Sequence, residues 1–240
     1  MNGSSRIWIM LIGLCSMMTL ANPLSAYQED PNVAGVLVKG RVIYSGNVPE
    51  APSLSVNRDQ AFCGESIPDH SLLVDEPSKG ISQVVVNLKG IGQGKGLPTK
   101  APLKMDNRNC QFQPSVSVGV TGNILEIQSA DPVLHNTHIL QDEETFLNVA
   151  LPPGGRTIRK PLSQPGRLNV RCDAHQFMRA SIHIFDHPYF TKTNKTGDFE
   201  LTQVPPGNHT IQFWHRTLGM KELSITVKPS TPLVVTVTYP

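Results

Sequence analysis

Short apolar runs, separated by residues that favour turns, follow one another along most of the chain. Within residues 181–185 the apolar and polar side chains alternate, so Ile182 and Ile184 are expected to face the same side of a strand. Turns are marked by Pro-Pro-Gly at residues 152–154 and again at 205–207. This pattern predicts an all-β protein built as a sandwich or a barrel. The clearest runs occupy residues 36–38, 41–44, 84–88, 124–127, 182–184, 211–213 and 234–237.

The first residues have a different pattern, which is typical of a secretory signal peptide. Arg6 precedes an apolar stretch at residues 7–14, and Leu-Ser-Ala at residues 24–26 offers a cleavage site with small side chains. The apolar stretch is short for a membrane span, and no second stretch follows it. We therefore expect residues 1–26 to be removed. The mature protein is then soluble, has no membrane span, and works in the periplasm, at the cell surface or outside the cell.

Three sections of the mature chain differ in character. Residues 33–100 are an N-terminal β segment, residues 101–188 hold the side chains with metal-binding chemistry, and residues 189–240 are a compact run of strands. A segment of about 50 residues is marginal as an independent fold. We expect residues 33–100 to pair with one or both of the later sections.

The charge of the chain is close to neutral. The formal net charge is +2, and it falls to +1 when Arg6 leaves with the signal peptide. No basic run is present, which argues against a nucleic-acid partner. The hydrolase motifs G-x-S-x-G and H-E-x-x-H do not occur either. These features favour a protein that is not an enzyme.

The cysteines are odd in number once the signal peptide is removed. Cys63, Cys110 and Cys172 remain, and an oxidising compartment leaves one thiol over after one disulfide has formed. The simplest solution pairs Cys63 with Cys110 and leaves Cys172 for a metal ion. The alternative is that Cys172 takes part in the disulfide.

The segment Cys-Asp-Ala-His-Gln-Phe-Met at residues 172–178 is the strongest chemical signal. It places the thiol of Cys172, the imidazole of His175 and the thioether of Met178 within seven residues, and His135 lies upstream. One Cys, two His and a weak axial Met form the ligand set of a type 1, or blue, copper site. Met178 alone would be interpreted as a core side chain that fills a gap, but its spacing from Cys172 favours a ligand.

Two further side chains are expected to support this site. Asn136 can hydrogen-bond to the cysteine loop, although an ordinary turn residue is the alternative. His138 lies three positions after His135, so a regular strand would point it to the opposite face. We interpret His138 as a supporting or core histidine and keep it as a reserve ligand. A second metal site would draw on four further histidines, His183, His187, His209 and His215, of which His215 is better explained as a core side chain.

These segments resemble the cupredoxins, and among them the plastocyanin-like and amicyanin-like proteins with short ligand loops. The C-x-x-H-x-x-M pattern stands just before a predicted strand, and His-Asn-Thr-His at residues 135–138 resembles the H-N-V-H segment of the same proteins. The resemblance implies a Greek-key cupredoxin-like β-sandwich over residues 101–188. It also implies one type 1 copper, bound by His135, Cys172, His175 and Met178.

The last section is similar to the regulatory, prealbumin-like β-sandwich module of carboxypeptidases. The similarity rests on Gly-Asp-Phe at residues 197–199 and Val-Pro-Pro-Gly at residues 204–207, with residues 39–42 as a candidate first strand. Exported bacterial proteins of the methylamine utilisation type combine such a module with a cupredoxin segment. The resemblance implies a second, smaller β-sandwich over residues 189–240.

Together these features predict an exported blue copper protein that passes single electrons between redox partner proteins. A copper carrier or scavenger is one alternative. A metal-free structural or adhesion β-sandwich protein is the other.

Overall fold

A computed structural model describes residues 26–240, and the predicted signal peptide lies, except for Ala26, outside the described residues. Within this range no helix is both long and apolar enough to cross a membrane. The described chain is nearly all β, with one short helix, α1 (Gln60–Cys63). Its strands are β1 (Gln28–Glu29), β2 (Val36–Tyr44), β3 (Ser53–Ser55), β4 (Ser66–Pro68), β5 (Val85–Leu88), β6 (Gln93–Gly94), β7 (Leu103–Arg108), β8 (Gln111–Gln113), β9 (Val116–Val120), β10 (Ile124–Ser129), β11 (His135–Gln141), β12 (Glu144–Leu151), β13 (Ile158–Pro161), β14 (Gly166–Arg171), β15 (Arg179–Phe185), β16 (Phe190–Lys192), β17 (Asp198–Val204), β18 (Gly207–His215), β19 (Gly219–Val227) and β20 (Leu233–Tyr239).

The first sandwich is built from residues 103–185. One sheet has the strand order β13-β10-β7-β8, and the other has the order β12-β11-β14-β15-β9. Ile182 and Ile184 of β15 both face the shared core, as their alternation predicts. The same core contains Met105, Leu125, Ile127, Ile139, Leu168 and Val170.

The second sandwich combines both ends of the chain. Its sheets have the orders β16-β5-β18-β19 and β17-β2-β20. Strand β2 lies between β17 and β20, and β5 lies between β16 and β18. The N-terminal segment therefore supplies the second sandwich with two central strands, and residues 189–240 do not form that sandwich alone.

Strand β5 explains how the two sandwiches meet. All four of its residues are buried, as expected for a short apolar run that is covered on both faces. Val86 faces the core of the second sandwich, whereas Val85 contacts a small cluster with Val116 and Trp214. Because Val116 belongs to β9 of the first sandwich, this cluster joins the two units.

Residues 53–68, which we name the cover segment, lie outside both sandwiches. They contain the hairpin of β3 and β4 and the helix α1 between these strands. Val56 and Ile67 are buried against Cys110 and Phe177 of the first sandwich. A disulfide between Cys63 and Cys110 fastens the segment there, which confirms the simplest of the predicted pairings.

Candidate metal centre

The loop at residues 172–178 connects two neighbouring strands of one sheet, β14 and β15. Its ends are held together because the Cys172 N–H donates to the Met178 carbonyl at 3.4 Å. The Met178 N–H in turn donates to the His175 carbonyl at 2.9 Å. This tight turn brings together the two ends of the loop, which carry Cys172 and Met178.

His135 comes from the strand next to this loop. It is the first residue of β11, which pairs with β14 so that His138 lies opposite Arg171. Among the described residues, His135, Cys172 and His175 each offer a ligand atom, and these atoms lie within 4.8 Å of one another. The Sγ of Cys172 is 3.7 Å from Nδ1 of His175. Three of the four predicted ligands therefore converge.

The imidazole of His135 presents one nitrogen to the site. Its Nε2 lies 2.9 Å from Oδ2 of Asp131, whereas its Nδ1 is buried and has no hydrogen-bond partner. A buried nitrogen without a partner is costly and needs an explanation. Burial lowers the pKa of His135 below its ordinary value, so the ring is neutral, as a metal ligand must be. A metal ion at this nitrogen fits the residues present.

His175 has the same arrangement. Its Nε2 lies 3.0 Å from Oδ2 of Asp59, and its Nδ1 faces Cys172. Metal-binding histidines commonly hydrogen-bond a carboxylate through the nitrogen that does not bind the metal. Both histidines of the centre thus have a carboxylate on the outside and Nδ1 on the inside.

Met178 is joined to Cys172 and His175 through backbone hydrogen bonds. Its side chain is 2% exposed and lies in the same core cluster as Cys172. Such packing suits both a weak axial ligand and a core methionine. Metal binding by Met178 therefore stays a prediction.

Asn136 ties the cysteine loop to β11. Its Oδ1 accepts hydrogen bonds from the backbone N–H groups of Asp173 at 2.6 Å and Ala174 at 3.4 Å. Its own backbone N–H donates to Cys172 Sγ at 3.5 Å. These contacts are those expected of a residue that locks the loop in place.

His138 lies outside the group of three ligands. Its ring contacts Asp173 at 3.1 Å and Thr145 at 3.0 Å. Although burial raises the pKa of Asp173, hydrogen bonds with His138, Asn136 and Asn148 lower that pKa overall, below its ordinary value. His138 of β11 thus holds the start of the loop through the carboxylate of Asp173.

The other histidines are not brought together. His183 lies against the ring of Trp214, with 4.3 Å between the ring centroids, and burial lowers its pKa to about 3. In His215, Nδ1 accepts hydrogen bonds from two backbone N–H groups, at 3.3 and 3.2 Å. Within residues 26–240 the other group with metal-ligand atoms contains Cys110, whose sulfur is in the disulfide. No group in this range includes His183, His187, His209 or His215.

Two residues that contact the candidate ligands, Asp59 and Asp131, were not predicted from the sequence. Asp131 lies four residues before His135, so its proximity is a signal that could have been used. Asp59 is separated from His175 by 116 positions, and nothing in the sequence around it indicates that contact.

Comparison with known proteins gives only partial matches. No protein-family model and no curated protein sequence matches the chain. A copper-containing nitrite reductase from Thermus scotoductus matches 35% of this chain and 22% of its own, at 21% identity and a TM-score of 0.32. Amicyanin from Paracoccus versutus matches 37% of this chain and 85% of its own, at 14% identity and a TM-score of 0.32. A purple cupredoxin from Nitrosopumilus maritimus matches 34% of this chain and 98% of its own, at 14% identity and a TM-score of 0.31. The case for a metal centre therefore rests on the side-chain geometry.

Proposed function

We propose that this protein binds one copper ion in a type 1 site and passes single electrons between partner proteins. The observation that carries the proposal is the convergence of His135, Cys172 and His175, with a buried Nδ1 of His135 that has no hydrogen-bond partner. Met178 is the proposed weak axial ligand.

The ligand chemistry favours copper. A thiolate, two neutral imidazoles and a thioether suit copper better than magnesium or calcium, which prefer oxygen ligands. When bound, copper supplies the one-electron change between Cu(II) and Cu(I), so one partner gives the electron and the next partner receives it.

The protein holds its proposed ligands in fixed positions and shields them from solvent. The Oδ1 of Asn136 holds the cysteine loop, and Asp131 and Asp59 hold the two imidazoles. The side chains of His135 and His175 are both 0% exposed. The positions of such ligands change little when the charge of the metal changes, and rapid electron transfer requires this property.

Burial also argues against the copper carrier. A carrier must release its ion to a receiver, whereas here Cys172 and Met178 are only 1% and 2% exposed. A metal-free structural role leaves the arrangement of Cys172 and His175 unexplained. Cys172 is a free thiol among the described residues, and its sulfur lies against the imidazole of His175.

We further propose that the protein works outside the cytoplasm and is not an enzyme. The Cys63–Cys110 disulfide suits an oxidising compartment. The second sandwich, in its resemblance to carboxypeptidase regulatory modules, positions the copper sandwich or docks a partner.

Two measurements distinguish an electron carrier from a copper carrier. The copper-loaded chain is mixed with its reduced form to measure electron self-exchange by NMR line broadening, and separately with a Cu(I) chelator to measure copper loss. An electron carrier gives fast self-exchange and slow copper loss. Slow self-exchange with rapid copper loss would support the carrier instead.

A further inference from the structure

The cover segment reaches the candidate metal centre through the side chain of Asp59. Two other residues of the loop, Asp173 and Gln176, are exposed, so the loop itself lies at the protein surface. His175 is nevertheless fully buried. A group from outside the loop must cover it, and Asp59 occupies its outer nitrogen at 3.0 Å.

The local structure of the cover segment fixes where Asp59 points. Its φ angle is 57°, in the left-handed region that Asp and Asn adopt more readily than most residues. Its carbonyl accepts hydrogen bonds from the N–H groups of Phe62 and Cys63, both at 2.9 Å, and so begins α1. An Asp at this position usually caps its own helix through the carboxylate. Here the side chain makes no capping hydrogen bond, and its carboxylate contacts His175 instead.

The rest of the cover segment is anchored independently of Asp59. Val56 and Ile67 pack beside the disulfide and Phe177, which is next but one to His175 in the loop. Nε of Arg58 lies 3.6 Å from Oδ2 of Asp59. The carboxylate is therefore presented to the imidazole by a segment with its own core.

We infer that Asp59 is a positioning residue, which holds His175 with Nε2–H outward and Nδ1 toward the metal and places a negative charge behind this ligand. The inference rests on the proposed function, because it assigns Asp59 a part in tuning the same site. A carboxylate behind a histidine ligand makes the imidazole more basic. It therefore favours the more highly charged Cu(II) and lowers the reduction potential.

The first test uses the metal-free protein. In mildly alkaline buffer, where an ordinary imidazole is neutral, two-dimensional NMR of the ¹⁵N-labelled histidines reports the tautomer of His175. We expect the Nε2–H tautomer in the unaltered chain and in Asp59→Asn, whose amide oxygen can still accept the hydrogen bond. We expect Asp59→Ala to lose this preference. An unchanged His175 tautomer in Asp59→Ala would overturn the positioning role.

The second test measures the reduction potential of the copper-loaded protein. Asp59→Asn removes the charge but preserves the shape, and we expect it to raise the potential. The matched control is Glu65→Gln, which removes one carboxylate charge from an exposed position of the same cover segment. We expect the control to change the potential much less, because solvent and salt screen an exposed charge. Equal shifts in Asp59→Asn and Glu65→Gln would overturn the inference.

Different results would overturn the proposed function and the role of Asp59. A copper-loaded unaltered chain without a blue absorption band would overturn the proposed function, and the tuning role would fall with it. A blue unaltered chain whose potential is the same in Asp59→Asn would overturn the role of Asp59 alone.

Discussion

The carboxylate of Asp131 joins His135 to the backbone beside the disulfide. Its Oδ2 lies 2.9 Å from Nε2 of His135 and accepts the Cys110 N–H, also at 2.9 Å. Its Oδ1 accepts the Asn109 N–H at 2.7 Å. One buried side chain therefore satisfies three donors and connects the ligand to the anchor of the cover segment.

Asp131→Ala should destabilise the protein and weaken metal binding. The change leaves three donors without their acceptor, and each of the two buried ones, the Cys110 N–H and Nε2 of His135, costs about 1–3 kcal/mol. Loss of a carboxylate behind a histidine ligand typically weakens metal affinity about 10–100-fold. Urea unfolding of the metal-free protein measures the first effect, and competition with a Cu(I) chelator measures the second. Glu200→Ala, at an exposed position of β17, should leave both unchanged, and equal effects in the two variants would contradict this account.

Asn136→Ala should loosen the cysteine loop. Its Oδ1 accepts the Asp173 N–H at 2.6 Å, and the alanine side chain cannot accept this hydrogen bond. We expect faster removal of copper by a chelator and a loss of stability of about 0.5–1.5 kcal/mol. Asn148→Ala is the control, because Asn148 contacts the side chains of Asn136 and Asp173 but neither of their backbones. Copper removal at the same rate in both variants would show that Asn136 does not lock the loop.

Removal of the disulfide should cost more than removal of any single hydrogen bond. Cys63 and Cys110 are 47 positions apart, and closing a loop of this length restricts the unfolded chain by about 4 kcal/mol. We expect the variant with Cys63→Ser and Cys110→Ser to lose stability of this order in urea unfolding of the metal-free protein. Ser66→Ala, an exposed change in the same cover segment, should lose almost none. A double variant as stable as the unaltered chain would mean that the segment is not anchored by this bond.

Acid should destabilise the metal-free protein partly through His183. Burial lowers its pKa from 6.5 to about 3, so the unfolded chain binds a proton that the folded chain does not. Its contribution to stability is full above pH 6.5 and is lost as the pH falls from 6.5 towards 3. We expect His183→Phe to flatten the decline of unfolding free energy over this range.

The histidine control is His70→Gln. His70 is exposed, so this change should leave the acid slope as it is. Parallel slopes for His183→Phe and the unaltered chain would show that His183 takes up a proton without unfolding.

Local features of the sequence predicted the candidate site better than they predicted the assembly of the fold. Cys172, His175 and Met178 lie in one loop, so their spacing alone places them together. The pairing of Cys63 with Cys110 was the simplest prediction once Cys172 was assigned to a metal ion, and the structure contains that disulfide. Strand β2 pairs with β17 and β20, far along the chain, and the sequence pattern gives no register for such contacts. The contact of Asp59 with His175 was missed for the same reason, because its two residues are joined only by the folded chain.

The proposed function requires that Cys172 bind copper as a thiolate together with the two histidines. The most direct measurement adds Cu(II) to the purified chain from Tyr27 to Pro240 and records the visible and electron paramagnetic resonance spectra, with Cys172→Ala as the control. The account predicts an intense blue band with a small copper hyperfine splitting, both absent from the control. A pale spectrum with an ordinary splitting, the same in both proteins, would contradict it.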